Sequence, residues 1–164
     1  MKTMLKCALL IAVAPLFCAA LIRAESSEQV PYPEGYRHWT HVKSQIVGAD
    51  NPDFQNSGGI RHLYANDKAM EGYRSGRYPD GAVILFDTLR AETKDGVTSE
   101  GRRRFIAVMH KDSKRFKETG GWGFEVFLRD SRTDRTVGPN AKAKCYDCHA
   151  SQQDKDFVFG SFRK

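Results

Sequence analysis

The run Cys145-Tyr146-Asp147-Cys148-His149 sets two thiols three residues apart, with an imidazole directly after the second. This is C-x-x-C-H, the attachment pattern of c-type haem. Each thiol can add to one of the two vinyl groups on a porphyrin edge, and the histidine that follows is swung under the iron as its proximal ligand. Cys145 and Cys148 are therefore expected to hold one covalent haem c, and His149 to hold its iron. Three other chemistries use the same residue types. A thioredoxin-like pair opens a helix early in a βαβ unit, whereas this motif lies near the C-terminal Lys164 with no βαβ pattern around it. A structural zinc site wants a second ligand pair, and His38 and His41 begin a strand-like segment far away in the sequence. A disulfide across the two intervening residues is open to any such pair in an oxidising compartment.

Bacterial haem c attachment takes place outside the cytoplasmic membrane, and the N-terminus reads as an export signal. Two lysines stand in the stretch Met1 to Lys6, and an apolar run from Cys7 to Ile22 follows, interrupted only by Pro15. Small residues at Ala20 and Ala24 suit the last position before cleavage. The run is about 16 residues, shorter than the roughly 20 that a spanning helix needs. Bulky Phe17 before Cys18 argues against a lipoprotein anchor. The expected organisation is a signal peptide over 1–24 and a single haem c domain over 25–164, located in the periplasm. Cleavage after Ala24 would remove Cys7 and Cys18 and leave only Cys145 and Cys148.

The full chain has 164 residues and a formal charge of +6; without the leader, 23 basic residues face 20 acidic ones. With 40% hydrophobic and 28% charged residues, a packed core is within reach and wholesale disorder is not expected. The one dense basic run, Arg102-Arg103-Arg104, opens a strand-like segment, where arginines guard a sheet edge. Nucleic acid drops out as a partner, and so does the membrane once the leader is gone.

Around the motif, the pattern predicts mostly strands. Tyr36 to Trp39 reads as a short helical turn, Thr40 to Val47 as a strand, 48–58 as a loop, and Gly59 to Tyr64 as a strand. Asn66 is an N-cap for a helix through Ser75, ended by Gly76. Pro79-Asp80-Gly81 is a turn. In the strand that follows, period two puts Ala82, Ile84, Phe86 and Thr88 on one face and Val83, Leu85 and Asp87 on the other. Lys94 to Gly101 reads as a turn, and Arg102 to His110 and Phe124 to Leu128 as strands. Asp130 to Gly138 reads as a polar loop, and Asn140 onward as a short helix that delivers the haem motif. The expected class is α+β: an antiparallel sheet of about five strands, a few short helices and a C-terminal haem-attachment segment.

In this order, the segments Tyr36-Arg37-His38-Trp39, Ile60 to Asn66, Tyr78 to Val83, Lys111 to Phe116, Gly121-Trp122, the haem motif and Asp156 to Phe159 resemble the cytochrome P-460 family. That family includes the sheet-rich beta-type cytochromes c′, which this chain is closest to in character. The resemblance implies a homodimeric periplasmic haem protein with His149 as proximal ligand. Members that oxidise hydroxylamine carry a lysine bonded to the porphyrin rim and a distal carboxylate; the matched positions here are Phe86 and Ala107. Neither can do that work, since a phenyl ring cannot cross-link and a methyl group cannot accept a proton. Glu125 is a substitute acid to consider, although it alternates away from Trp122, Phe124 and Val126.

An apolar distal pocket has chemistry of its own. Over a five-coordinate haem, Phe86 would exclude water and offer bound dioxygen no hydrogen bond, which tilts selectivity toward nitric oxide and carbon monoxide. Phe54, in the loop before the second strand, is a second capping candidate. The expectation is a gas-binding protein, suited to nitric oxide scavenging, sensing or electron storage with a periplasmic redox partner. One alternative is an enzyme oxidising hydroxylamine or nitric oxide. Another is a low-spin electron carrier with Met109 on the iron, though Met109 and Met70 read first as core. His38, His41, His62 and His110 are weak candidates for a second axial ligand. Arg37, Arg74 and Arg77 are candidate propionate partners. Trp39 and Trp122 read as core or dimer contacts.

Overall fold

The computed structural model describes residues 29–163, so the leader assigned to 1–24 lies outside the described residues. Five strands, β1 (Thr40–Val47), β2 (Gly59–Ala65), β3 (Val83–Lys94), β4 (Val97–Lys111) and β5 (Trp122–Leu128), form one sheet in the order β1-β2-β3-β4-β5. Every neighbouring pair is antiparallel. The expected sheet is thus present, with short helices between and after its strands.

The segment 48–58 holds a single helical turn, α1 (Phe54–Ser57), that a polar loop pattern did not announce. The helix α2 (Asp67–Ser75) is capped as its sequence requires: the Asn66 side chain accepts from the Ala69 N–H, and Gly76 ends it with φ of 79°. Asn66 also accepts from the Val83 N–H at 3.0 Å and donates to the Gly81 carbonyl at 2.9 Å, fastening the helix start to the head of β3.

The turn expected over Lys94 to Gly101 is shorter than its composition implied. β3 and β4 run on as one long hairpin and reverse at Asp95-Gly96, both with positive φ (50° and 77°). Two residues of that kind suffice for a reversal matched to strand twist. The arms beyond the core are solvent-exposed on both faces, so no apolar alternation marked them as strand.

The alternation read for β3 divides the core in two. On the first face, Leu63, Ala65, Ile84, Trp122 and Phe124 pack with Ala69 and Met70 of α2 and with Val137 and Val158 from the C-terminal segment. On the second, Leu85, Ile106, Val108 and Phe127 pack with Val30, Tyr36 and Phe116. Asp87, 2% exposed, lies on this second face. It accepts from the Tyr36 hydroxyl at 2.6 Å and from Arg103 Nε at 2.7 Å.

After β5 the chain turns back across the first face through a 3-10 turn (Gly138–Asn140), a π-helical turn (Lys142–Tyr146), α3 (Asp147–His149) and a 3-10 stretch (Ala150–Lys155). Among the described residues no helix is long and apolar enough to cross a membrane.

Candidate functional site

Cys145, Cys148 and His149 ride on this run of helical turns. Cys145 is half-buried and packs against the first core; Cys148 is exposed; both are free thiols. Burial, reinforced by the nearby Glu125 charge, pushes the Cys145 thiol up to about 11.

His149 is oriented from behind. Its Nδ1 lies 2.7 Å from the Phe157 carbonyl. A carbonyl only accepts, so the hydrogen bond assigns the proton to Nδ1 and leaves the Nε2 lone pair for a metal. That is the second-shell device by which ligating histidines are held. Phe124 and Phe159 flank the imidazole, each with centroids at 5.0 Å. Burial depresses the His149 pKa, and the Phe157 hydrogen bond partly opposes it.

The loop that supplies the Phe157 carbonyl is itself clamped. Asp156 accepts from Lys111 Nζ at 2.7 Å and from the Tyr78 N–H at 2.8 Å, and its own carbonyl accepts from Trp122 Nε1 at 2.8 Å. Asp156 and Phe157 both adopt left-handed backbone, φ 52° and 66°, a conformation that ordinary residues hold only when their surroundings impose it. Gly120 makes room: a Cβ there would stand 2.4 Å from the Phe157 ring.

Across the same face of the sheet, Leu63, Phe86, Ala107 and Val126 form one transverse row of cross-strand partners. Phe86, Ala107 and Val126 are half-buried, while their second-face neighbours Leu85, Ile106 and Phe127 are at most 1% exposed. Phe86, Met109 and Val126 pack against the same cluster as Cys145, Tyr146 and Phe157. The site therefore offers an apolar bed beside two free thiols and an imidazole whose Nε2 is uncommitted among the described residues. These are the surfaces and donors that a covalently tethered porphyrin requires.

Phe54 opens α1, the turn whose Ser57 carbonyl accepts from Arg61. The Phe54 ring folds onto Gly58, where a Cβ would come within 2.2 Å of it, and lines a cavity of about 330 Å³ with Gln55, Gly59, Arg90, Ala91 and Arg104. Among the described residues no ring contact joins it to Phe86. Arg37 sits on the second face against Asp87, 3.5 Å away, and so faces away from the motif. Arg74 and Arg77 are exposed at the end of α2. His41, His62 and His110 pack on the second face, opposite His149. Trp122 is fully buried core.

Glu125 is also accounted for. It is 2% exposed, and its carboxylate accepts from the backbone N–H groups of Val126, Val137 and Gly138 at 2.9, 3.0 and 3.3 Å. It ties down the chain that leads into the motif. Arg61 was not picked out from the sequence, though strand alternation from Leu63 places it on the Phe86 face. Its guanidinium lies 5.6 Å over the Phe86 ring, and its Nε donates to the Ser57 carbonyl at 3.0 Å. Burial lowers its pKa. Among the described residues no group of three or more His, Cys, Asp or Glu side chains is arranged to hold a metal ion.

A meander sheet with a cysteine-pair helix and an oriented histidine laid across one face defines a class of small sheet-based haem proteins. Within that class the match is specific: the family model for cytochrome P460 covers residues 33–160, and the chain belongs to the cytochrome P460 family. Membership implies a c-type haem. No curated protein matches the chain.

Proposed function

We propose that the exported, trimmed chain is a periplasmic, homodimeric haem protein of the beta-type cytochrome c′ kind that binds nitric oxide or carbon monoxide. Cys145 and Cys148 hold the porphyrin and His149 its iron. Bound there, the haem supplies a metal with one position left for a diatomic ligand. The chain's residues set what reaches that position. Phe86, Ala107 and Val126 give no proton and no hydrogen bond, and the Arg61 guanidinium over the Phe86 ring is drawn toward the Ser57 carbonyl, an arrangement that disfavours dioxygen relative to ligands that need no donor.

The observation that carries this reading is the direct pairing of Phe86 with Ala107 in a wholly apolar row. These are the positions matched to the lysine and the carboxylate of the oxidising members. Glu125 is no replacement base, because its oxygens are engaged by three backbone N–H groups. The electron-carrier alternative is disfavoured by the place of Met109. It is the cross-strand partner of Phe124, whose ring packs on His149, so it stands beside the imidazole rather than across from it.

Optical spectra of the purified mature protein test the proposal. High-spin ferrous haem that takes up carbon monoxide, with no turnover of hydroxylamine, is the expected result. A strongly red-shifted ferrous Soret band would reveal a cross-link, and a methionine charge-transfer band in the ferric state would reveal a sixth protein ligand. Either overturns it.

A further inference from the structure

On the sheet face opposite the cysteine pair, β1 carries a bulge. His41 pairs with Tyr64 and Ser44 with His62, and the register slips between His41 and Lys43. In an unbroken strand, residues three apart point to opposite faces. The extra residue brings His41 and Ser44 to the same face, while Val42 turns into the first core, 2% exposed.

A hydrogen-bonded chain results. His62 Nε2 lies 2.6 Å from Glu100 Oε1, His62 Nδ1 lies 2.8 Å from Ser44 Oγ, and Ser44 Oγ lies 3.0 Å from His41 Nε2. A carboxylate accepts, so His62 carries its proton on Nε2 and turns a bare Nδ1 toward Ser44. Two imidazole nitrogens thus converge on one hydroxyl.

We propose that His41 and His62 form a two-imidazole site for a divalent transition metal, Cu(II) above all, with Ser44 rotated aside and Glu100 holding the His62 ring. Imidazole suits Cu(II) and Zn(II), and Cu(II) binds such donors most tightly of the first-row divalent ions. Metal–nitrogen bonds of about 2.0–2.1 Å put the centroids of two ligating rings between roughly 4.5 Å (cis) and roughly 6.4 Å (trans) apart; the His41 and His62 centroids, at 5.8 Å, fall within that span. The Glu100–His62 bond is the carboxylate–histidine arrangement that fixes tautomer and ring in metal sites. His41 shifts its proton to Nδ1 on binding, and Ser44 moves to another staggered rotamer. His41, Ser44 and Glu100 are exposed, which leaves the other coordination positions to solvent.

The test is titration of the mature holoprotein with Cu(II) alone, followed by calorimetry and by electron paramagnetic resonance. One ion per chain with hyperfine coupling to two imidazole nitrogens is expected. His41→Ala and His62→Ala each weaken binding at least tenfold, Glu100→Gln weakens it about 10–100-fold, and Ser44→Ala leaves it equal or tighter. An unchanged Soret band in every variant shows that the fold and haem are intact. Copper affinity unaltered in both histidine variants, a single-nitrogen spectrum, or loss of binding in Ser44→Ala overturns the site.

Discussion

The imidazole of His149 and the carbonyl of Phe157 are hydrogen-bonded at 2.7 Å, eight residues apart in the chain. The motif places the imidazole, but a separate loop decides which of its nitrogens is left with a lone pair for a metal. That loop is pinned to β4 through the Lys111–Asp156 ion pair, whose side chains are only about a tenth exposed.

Lys111→Met should therefore do two things. Removing one partner of a buried pair costs about 3–5 kcal/mol, which urea unfolding of the holoprotein would show. The Phe157 carbonyl should also lose its position, shifting the iron–histidine stretching band of the ferrous protein. A stability loss with an unmoved band would make the pair purely structural.

Phe86→Ala would open the apolar row beside its partners Leu63 and Ala107. Carbon monoxide association, followed by flash photolysis, should quicken by about tenfold, equivalent to roughly 1.4 kcal/mol of barrier. Water ligation of the ferric form should rise. Unchanged kinetics would remove Phe86 from the cap.

In the folded, haem-free polypeptide the two thiols should differ. Cys148 is exposed, while Cys145 is half-buried with its pKa pushed up to about 11. The thiolate is the reactive species, so iodoacetamide should label Cys148 well before Cys145. Mass spectrometry of a partial reaction would read the order.

His110 gives a pH dependence. Its buried Nδ1 has no hydrogen-bond partner among the described residues. Burial first, and then the Arg115 charge, hold its pKa below the ordinary 6.5. The folded state then binds fewer protons than the unfolded one, so stability falls as pH drops below about 6.5 and continues falling down to the depressed folded value. His110→Leu should flatten the difference in unfolding free energy between about pH 7.5 and about pH 5 relative to the wild type. An equal slope in both would assign the effect to other groups.

Much of this was legible in the residues because it depends on local rules. Asn66 and Gly76 bound α2, the Asp80-Gly81 turn sets the phase of β3, and period two put Phe86 opposite Leu85. What escaped depends on partners distant in sequence. Glu125 looked like a spare acid until Val137 and Gly138 folded back to occupy it. Arg61 gained meaning only when Phe86 arrived beside it from the next strand. Phe54 is a local case: it packs on Gly58, four residues on, because 54–57 form a helical turn that the polar composition of 48–58 did not announce. The β1 bulge was equally silent, since the imperfect alternation of 40–47 does not say which residue is extra.

The strictly sequential strand order carries a consequence for assembly. Each strand pairs with the next one along the chain, so no crossover is needed and contacts stay more local than in a sheet of mixed order. The stretch bearing the two sulfurs comes last and meets a platform already built. Until it docks, Cys145 and Cys148 should stay open to attachment chemistry.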